Sequence, residues 1–402
     1  MRDWLNDVFA GRPWWMNAVM VFCAWMTFVY VPWDLLLKSV EHDEEVWFGI
    51  VFTGMTAKVL TIPHWIVYAG GLYGFRQMRP WMALAAPAYT AQVAIGMFLW
   101  PMMKYGSLTG FVLGVISVVP FAALTAAFWQ ARGLFLDEPM PLAERYGGWA
   151  VVTGASAGIG AAFARACARE GMPVVLVARR QDLLEQLARE LEEAHGVETR
   201  VVAIDLTERD AAERLAAAVA DLDVGMLVNN AGFGLQGRFD SLDLARLEDM
   251  VQVNCAVPVS LTHRLLPALR ARHRGAVVIV GSAAGWQPLP LHGVYSATKA
   301  FDQFFGESLS VELADDHIDV LVVEPGTVET EFQAVSGQLE HSGASPEDVV
   351  DTAFEALGRQ PSVVVGWWNY LRAVIPKRLL TRPLVLQVAR GVTEKHTPVE
   401  KR

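Results

Sequence analysis

Three residues of this chain have the types and the spacing of an acid–base site. Tyr295 and Lys299 are four positions apart, and on a helix this spacing puts a phenol and an ammonium group on one face. Ser282 lies thirteen positions before the tyrosine. A phenol with a pKa of about 10 is a poor base at neutral pH, but a nearby positive charge lowers that pKa. The set predicts proton transfer to or from a substrate oxygen.

A glycine-rich run with the sequence Thr153-Gly154-Ala155-Ser156-Ala157-Gly158-Ile159-Gly160 lies upstream of these residues. It follows a predicted strand and opens a predicted helix, which is where backbone N–H groups and a helix N-terminus hold a pyrophosphate. Three residues separate its first two glycines, so the spacing differs from the common G-x-G-x-x-G pattern. Together with the tyrosine–lysine pair, this turn predicts a site that moves a hydride and a proton.

The elements that must position these residues alternate between short apolar runs and longer helical stretches. Near-continuous apolar strands separated by helices indicate a parallel sheet that is covered on both faces. The sequence therefore predicts an α/β fold with a Rossmann-type, doubly wound parallel sheet over residues 149–366. The predicted strands are Ala150–Thr153, Val174–Ala178, Thr199–Ile204, Met226–Asn229, Ala276–Val280, Asp319–Val323 and Ser362–Val365, with helices such as Leu183–His195 and Glu208–Ala220 between them.

The motifs of this part resemble those of the short-chain dehydrogenases/reductases, of the kind that act on fatty-acyl or steroid-like molecules. The resemblance covers roughly residues 147–345 and leaves residues 1–136 outside it. Any single motif is moderately specific, whereas the full set in this order is highly specific. The matching motifs are Thr153-Gly154, Gly158-Ile159-Gly160, Asp205, Asn229-Asn230-Ala231-Gly232, Asn254, Ser282, Tyr295 with Lys299, and Pro325-Gly326.

The resemblance implies a role for each residue of the catalytic set. Tyr295 is the general acid/base, and Lys299 and the positive nicotinamide ring of the oxidised cofactor lower its pKa. The same lysine would hold the nicotinamide ribose hydroxyls, and Ser282 would donate to the substrate oxygen and orient it. Asn254 would hold a water molecule beside the lysine for proton relay. Alone, the pair could be an exposed aromatic and a solvated lysine, and the asparagine could be a helix cap.

The residues after the second predicted strand bear on the choice of cofactor. An acidic residue there binds the ribose of NAD, but this chain has Arg179 and Arg180, and arginine can chelate a phosphate and stack on adenine. NADP(H) is therefore favoured over NAD(H), although both arginines could instead open the next helix or meet solvent. Asp205 resembles the family residue that contacts adenine, and the turn at residues 230–232 would close over it. No metal site is predicted. The predicted cofactor-binding residues are Gly154, Ser156, Gly158, Ile159, Gly160, Arg179, Arg180, Asp205, Leu206, Asn230, Ala231, Gly232, Tyr295, Lys299, Pro325, Gly326 and Val328.

Two apolar segments near the catalytic set indicate a lipophilic substrate. One is Trp286–Leu291, and the other follows Pro325-Gly326 and should form a lid. Trp286 and Leu289 could equally be ordinary core or interface residues. Residues 367–402 form a basic and apolar C-terminal segment, for which a contact with anionic lipid and a lid helix on the substrate cleft are both open.

The N-terminal third of the chain has the composition of a membrane domain. Of the 402 residues, 53% are hydrophobic and only 19% are charged, and the apolar excess is concentrated in residues 1–136. We expect an all-α transmembrane domain of about four helices there, followed by a linker at residues 137–148, because each segment reaches the roughly 20 residues that span a bilayer. A soluble bundle would need polar helix faces. The four segments are Trp14–Leu37, Val46–Tyr73, Trp81–Met103 and Leu108–Gln130.

Basic residues between the segments predict the orientation of this domain. Six lie on one side and two on the other, so both ends of the domain and the catalytic part are expected in the cytoplasm. The glycine repeat within Gly106–Gly114 would let helices approach closely. Lys58 and His64 lie inside the second segment and are functional candidates, unless the span is broken near Pro63 or Lys58 snorkels. The six are Arg2, Arg12, Arg76, Arg79, Arg132 and Arg145, and the two are Lys38 and Lys104.

The sequence thus predicts a membrane-bound, NADP(H)-dependent oxidoreductase that interconverts a carbonyl and a secondary alcohol on a fatty-acyl, steroid or other lipid-like substrate. The alternative is a membrane transporter or lipid-binding unit whose soluble part senses a nucleotide. The net charge of −10 argues against a nucleic acid partner, and three cysteines without metal spacing fit a reducing compartment. The resemblance also implies a homo-oligomer, although the membrane domain could obstruct the usual interface.

Overall fold

The computed structural model describes residues 13–47, 50–136, 140–339 and 342–402. The chain divides into two compact units, Met1–Pro139 and Met140–Arg402. Arg2 and Arg12, which contribute to the predicted orientation, lie outside the described residues. The same holds for residues 137–139, where the predicted linker begins.

The described part of the first unit consists of helices and one antiparallel pair of strands. The helices are apolar along most of their length because the sequence there carries few charges. The elements are α1 (Trp14–Leu36, with a π-helical turn at Met26–Tyr30), β1 (Glu44–Trp47), β2 (Ile50–Thr53), α2 (Gly54–Arg76), α3 (Met82–Tyr105), α4 (Ser107–Gln130) and α5 (Gly133–Leu136).

The predicted start of the second apolar segment is wrong, and the number of membrane spans stays a prediction. Among the described residues, three helices are long and apolar enough to cross a membrane, namely α1, α3 and α4. The predicted span Val46–Tyr73 instead starts in the hairpin of β1 and β2, in which Glu44 pairs with Thr53, and continues as α2. This helix has 23 residues, but Lys58 and His64 lower its hydropathy. Two β-rich runs separated by only two residues are the hairpin signal that the span prediction passed over.

Ion pairs hold the polar residues of α2. Lys58 is buried; it donates to the backbone carbonyl of Asp34 and lies 3.2 Å from the carboxylate of Asp43. His64 pairs with Glu45. The helix runs unbroken through its internal proline. The helix is therefore not broken near Pro63, and the lysine is held inside the unit. A snorkelling lysine stays a prediction.

The glycine repeat packs two helices of this unit together. A Cβ atom at Gly110 would lie 2.7 Å from the carbonyl oxygen of Pro101, and one at Gly114 would lie 2.6 Å from that of Phe98. These oxygens belong to α3, so glycine allows α4 to approach the backbone of its neighbour. The predicted role of the repeat in helix packing is confirmed.

The second unit is a doubly wound α/β domain, as predicted. Its strands are rich in valine, which suits strands that are buried on both faces. The elements are α6 (Leu142–Arg145), β3 (Trp149–Thr153), α7 (Gly158–Arg169), β4 (Val174–Ala178), α8 (Gln181–His195), β5 (Thr199–Ala203), α9 (Ala211–Ala218), β6 (Val224–Asn229), α10 (Leu244–Val251), α11 (Val257–Ala271), β7 (Gly275–Val280), α12 (Gly293–Glu312), β8 (Ile318–Glu324), α13 (Phe332–Ser336), α14 (Pro346–Ala356), β9 (Ser362–Val364), α15 (Trp367–Leu379) and α16 (Arg382–His396).

Seven strands form one parallel sheet in the order β5-β4-β3-β6-β7-β8-β9. Val152 of β3 pairs with Val228 of β6, and helices cover both faces, with Phe163 packing on one face and Leu261 on the other. All seven predicted strands are present, with ends shifted by at most two residues. The strand order reverses between β3 and β6, so the loops that follow these strands diverge and leave a crevice at their carboxyl ends.

Candidate active site

A cavity of ≈ 950 Å³ lies in this crevice. Its walls include residues that follow β3, β4, β5, β6, β7 and β8, which is the place where open α/β sheets bind ligands. Residues of α12, α15 and α16 complete the walls. The cavity therefore joins the glycine-rich turn, the tyrosine–lysine pair and the C-terminal helices in one site.

The glycine-rich turn is shaped by a close approach of two loops. Gly154 has φ +69°, and a Cβ atom there would lie 2.7 Å from the amide nitrogen of Asn230. That amide donates to the carbonyl of Thr153 at 2.8 Å, and the Thr153 hydroxyl accepts from the backbone N–H groups of Asn230 and Ala231. The turn leads into α7 at Gly158, whose first N–H groups are free of intrahelical partners. This cradle fits a pyrophosphate.

Tyr295 and Ser282 both line the cavity, and the serine lies close enough to the phenol to act on its pKa. Tyr295 lies in the first turn of α12, and Ser282 follows β7. The serine hydroxyl also accepts from the backbone N–H of Ala284 at 3.1 Å, which fixes its position. Two hydroxyl groups held next to each other can both donate to one substrate oxygen, as the family resemblance implies.

Burial dominates the acidity of Tyr295. The side chain is 8% exposed, and this burial raises the pKa of the phenol; Lys299 and the hydrogen bond from Ser282 act to lower that pKa, whereas Asp302 raises it further. The net direction is upward. The predicted lowering of the phenol pKa is therefore wrong when only the groups of the protein are considered. Lys299 does act to lower this pKa, as predicted.

Lys299 has a buried carboxylate partner that the sequence analysis missed. Its ammonium group donates to the carbonyl of Val280 at 2.8 Å and to Asp302 at 2.9 Å, and it lies 5.9 Å from the centre of the Tyr295 ring. Lys299 and Asp302 are 5% and 1% exposed. Burial acts to lower the pKa of Lys299, but the attraction of Asp302 outweighs it and the net direction is upward. The lysine is therefore a fixed positive charge.

Asn254 lies behind the cavity wall rather than on it. It is 1% exposed, its amide oxygen accepts from the N–H of Phe233 at 3.1 Å, and its amide nitrogen donates to Thr298 at 3.0 Å. It sits in a π-helical turn, so it is no helix cap. A Cβ atom at Gly232 would lie 3.1 Å from the Asn254 amide oxygen and 3.7 Å from the Lys299 nitrogen, so asparagine and lysine flank one position. Its place in a proton relay stays a prediction.

The two arginines after β4 line the opposite end of the cavity. Arg180 donates to the Ser156 hydroxyl at 3.1 Å and pairs with Glu331 at 2.9 Å. Arg179 lies 3.8 Å from Asp205. The side chains of Arg179 and Arg180 are 65% and 43% exposed, and ion pairs of exposed groups are weak. Both arginines can therefore exchange these partners for an anion. No local sequence pattern predicts that Glu331 lies next to Arg180.

The substrate side of the cavity is partly apolar. Phe233 and Phe332 line it together with Leu289, and α15 and α16 contribute Trp368 and Val392. The C-terminal segment thus packs over the cleft, which favours the lid alternative of the sequence analysis. Only part of the predicted substrate segment Trp286–Leu291 lines the cavity. Leu289 lies on the wall, whereas Trp286 does not, and its indole N–H donates to Glu324 at 2.9 Å.

The cavity brings together most of the predicted site residues. Asn254 and Gly160 are the two that do not line it; a Cβ atom at Gly160 would collide with the Gly154 carbonyl, so this glycine lets α7 pack on the turn. Their contacts with cofactor and substrate stay predictions. The predicted residues on the walls are Gly154, Ser156, Gly158, Ile159, Arg179, Arg180, Asp205, Leu206, Asn230, Ala231, Gly232, Ser282, Tyr295, Lys299, Pro325, Gly326 and Val328.

Known proteins resemble this unit in sequence and in fold. A family model described as short chain dehydrogenase matches residues 148–340. A 7beta-hydroxysteroid dehydrogenase of Clostridium sardiniense is 36% identical over 234 residues, which are 57% of this chain and 90% of that protein. A very-long-chain 3-oxoacyl-CoA reductase of Bos taurus is 34% identical over 251 residues, which are 61% of this chain and 80% of that protein. A short-chain dehydrogenase from Sphingobium yanoikuyae, solved in complex with NADPH, has a TM-score of 0.51 at 27% identity and covers 63% of this chain and 98% of that chain.

Proposed function

The chain belongs to the short-chain dehydrogenases, and from this premise we propose that it is a membrane-bound, NADP(H)-dependent oxidoreductase acting on a lipophilic substrate. It interconverts a carbonyl and a secondary alcohol. The main support for the proposal is that one cavity is lined by Ser282, Tyr295 and Lys299 and by the glycine-rich turn. A protein that only senses a nucleotide would have no use for the serine.

The side chains of the site account for the proton and for the developing charge. The nicotinamide cofactor, when bound, supplies or accepts the hydride. In reduction, Tyr295 gives its proton to the substrate oxygen, and its raised pKa keeps the phenol protonated until then. Ser282 donates a second hydrogen bond to that oxygen. Lys299, fixed by Val280 and Asp302, stabilises the negative charge left on the phenol.

The protein groups around the cradle support NADP(H) as the cofactor. The glycine-rich turn and the start of α7 suit a pyrophosphate, and the missing Cβ of Gly154 leaves room for its close approach. Arg179 and Arg180 stand where the adenine ribose binds in this fold, and an arginine pair suits a 2′-phosphate. The dehydrogenase from Sphingobium yanoikuyae is described in complex with NADPH.

Three features support a lipid-like substrate and a membrane location. The relatives are named for steroid and very-long-chain 3-oxoacyl-CoA substrates. The substrate side of the cavity carries Phe233, Leu289, Phe332 and Val392. Helices α1, α3 and α4 have the length and apolar composition to cross a bilayer. Burying a long acyl chain or a steroid against apolar side chains is favourable by about 25 cal/mol per Å².

The proposed cytoplasmic placement of the catalytic unit depends on α2. If only α1, α3 and α4 cross the membrane, the two ends of the first unit lie on opposite sides; if α2 crosses too, they lie on the same side. A helix of 23 residues is about 35 Å long, enough to span. We propose that it does, with its polar residues paired inside the unit. Labelling of single cysteines placed at either end of the unit in intact cells tests this.

The experiment that tests the proposed activity uses the full-length chain purified in detergent. Oxidation of NADPH is followed with long-chain ketones, 3-oxoacyl thioesters and 7-oxo steroids, and repeated with NADH. The proposal expects turnover with at least one lipid-like ketone and a lower kcat/KM with NADH. Absence of turnover with all three classes, by a folded protein that binds NADPH, would contradict it.

The second candidate function, a transporter or lipid-binding unit with a nucleotide-sensing domain, rests on the buried polar network of the first unit. Lys58 with Asp43 and Asp34, and His64 with Glu45, are mutually paired, and this pairing explains their presence as well as transport does. Lys58→Met in a strain that depends on the protein separates the two. Loss of the phenotype in that variant, with retention in Tyr295→Phe, would favour transport.

A further inference from the structure

The last long helix of the chain, α16, leaves a stripe of apolar side chains exposed. Its buried side chains are Val385, Ala389 and Thr393, which lie one above the other on a single narrow face. An amphipathic helix on a protein surface usually buries its whole apolar face, but α16 has a second apolar stripe beside the buried one. The members of this second stripe are Leu384, Val388 and Val392, which are 43%, 50% and 51% exposed.

Helix α15, which contacts α16, adds exposed apolar side chains of its own. Trp368 and Leu379 are 50% and 77% exposed. They are eleven positions apart, close to three helical turns, so they lie on one face of α15. Trp368 and Val392 also line the cavity. Because each of these two side chains is half exposed and also on the wall, each helix places an apolar residue at the rim of the cavity.

Basic side chains accompany this apolar surface. Residues 367–402 contain eight lysines and arginines and two glutamates, a net charge of +6 in a chain whose net charge is −10. Arg372, Arg382 and Lys395 are exposed and have no carboxylate partner among the described residues, whereas Arg390 pairs with Glu394. The Arg372 guanidinium lies 5.0 Å from the centre of the Trp368 ring. The rim of the cavity therefore combines apolar side chains with unpaired positive charge.

This combination is typical of a surface that binds an anionic bilayer. Leucine, valine and tryptophan side chains enter the boundary between headgroups and acyl chains, and lysine and arginine side chains contact anionic headgroups. A second copy of the chain is a poorer partner, because it would bring the same positive segment against itself. The proposed substrate dissolves in the bilayer, so a lipid contact at the rim would also give this substrate a short path to the cavity.

We propose that the exposed faces of α15 and α16 dock on an anionic bilayer surface, and that a substrate dissolved in the lipid enters the cavity past Trp368 and Val392. The inference rests on the proposed lipophilic substrate and membrane location. The buried faces of the two helices cover the cleft while their exposed faces contact lipid, so the C-terminal segment has both roles considered for it from the sequence. Docking to a depth of about 5–10 Å brings the rim to the acyl chains.

The first test measures contact with lipid and requires no turnover. A fluorophore is attached to Val388→Cys in the full-length chain, with the three native cysteines replaced by serine, and the protein is reconstituted in vesicles with brominated acyl chains. We expect this label to be quenched at least about twofold more than a label at Gln387→Cys, because Gln387 is an exposed polar neighbour on another face of α16. Leu384→Cys, one turn before Val388 on the same stripe, should behave like Val388→Cys. The quenching should be stronger with phosphatidylserine than with phosphatidylcholine alone, and it should fall as salt is added.

The second test measures the use of this surface in catalysis. Val388 lies outside the cavity walls, and Val388→Asp puts a negative charge on the exposed stripe. The KM for a long-chain ketone dissolved in phosphatidylserine-containing vesicles should rise at least about threefold. The kcat/KM for a short, water-soluble ketone and the Kd of NADPH should stay within about twofold of wild type. Gln387→Asp makes the same change of charge on the neighbouring face and is the matched control, so it should leave all three values unchanged.

The outcomes separate this inference from the proposed function. Equal quenching at positions 387 and 388 would overturn the docking surface, and so would quenching that does not depend on phosphatidylserine. A label at position 388 that iodide cannot reach in detergent, and that brominated lipid does not quench, would show that the first unit or a second copy covers the stripe, which also overturns the proposal. If wild type reduces no lipid-like ketone, the proposed function fails, whereas the quenching result still decides whether this surface binds lipid.

Discussion

Neutralising Asp302 is the perturbation that most directly probes how the site controls its charge. Asp302 and Lys299 are both almost fully buried and lie 2.9 Å apart, and the second carboxylate oxygen of Asp302 has no partner among the described residues. Asp302→Asn keeps the size and one acceptor oxygen but removes the negative charge. The ammonium group of Lys299 is then left uncompensated in a low-dielectric site.

The expected loss of stability follows from that burial. Breaking one partner of a buried ion pair lowers the free energy of unfolding by about 3–5 kcal/mol, and the remaining hydrogen bond puts this case near about 3 kcal/mol. For a domain of this size, about 3 kcal/mol corresponds to a fall in Tm of roughly 6–12 °C. Tryptophan fluorescence during heating measures it. Asp316→Asn, which breaks an exposed pair with Arg270 of 2.7 Å, is the matched control and should shift Tm by about 3 °C or less.

The same variant also changes the pH dependence of catalysis. Asp302 acts to raise the pKa of Tyr295, so removing its charge lowers that pKa. In the direction of alcohol oxidation, where the ionised phenol accepts the proton, the rise of kcat/KM with pH should therefore move to lower pH. An Asp302→Asn protein with the wild-type Tm and the wild-type pH profile would refute the reasoning, because both effects come from one buried charge.

Four further predictions follow from the site. Ser282→Ala should lower kcat/KM about 10²–10³-fold and leave the Kd of NADPH unchanged, as measured by cofactor fluorescence. Gly154→Val should abolish NADPH binding in the same assay, because φ +69° and the adjacent loop leave no room for a side chain. Glu331→Gln frees Arg180 from its 2.9 Å ion pair and should lower the Kd of NADPH, but not of NADH, by about 2–5-fold. Burial lowers the pKa of His292 from 6.5 to about 4, so between these pH values the unfolded chain binds a proton that the folded chain does not. The free energy of unfolding of wild type should therefore fall below about pH 6.5, by up to about 3 kcal/mol near pH 4. Denaturant unfolding measures this fall, which should be absent in His292→Phe.

The features that the sequence predicted correctly are local in the chain. Tyr295 and Lys299 are one helical turn apart, so a helix alone brings them to one face. The strands are short valine-rich runs that can satisfy their hydrogen bonds only in a buried sheet. The glycine-rich turn sits between the first of these strands and the next helix. Each of these features depends on residues within a short stretch of the chain, whereas the order of the strands in the sheet depends on distant segments.

The features that the sequence did not predict depend on contacts between distant segments. Glu331 pairs with Arg180, which is 151 positions away in the sequence, and no local sequence pattern predicts such a pair. Asp302 is three positions from Lys299 on the same helix, so their pairing could have been predicted from the sequence. The effect of Asp302 on the pKa of the lysine depends on its burial, which the sequence does not give. The direction of the Tyr295 pKa shift was misjudged for the same reason, because the desolvation of the phenol is a property of the packed domain.

The start of the second predicted span was misjudged, because composition and strand pairing disagree there. The segment Val46–Tyr73 is apolar enough on average to resemble a span, yet its first residues alternate and pair as a hairpin. Lys58 is acceptable inside the unit because Asp34 and Asp43 surround it. Average hydropathy does not report such pairing. The two more uniform segments that became α3 and α4 were correctly identified as apolar helices long enough to cross a membrane.

The central claim is that Tyr295 transfers the proton while hydride moves between the bound nicotinamide and a lipid-like carbonyl. Single-turnover measurement of NADPH oxidation by Tyr295→Phe, in an enzyme shown to bind NADPH as wild type does, tests it most directly. We predict unchanged cofactor binding and a rate lowered by about 10²–10⁴-fold. A phenylalanine variant that oxidises NADPH on a lipid-like ketone at the wild-type rate would contradict the account.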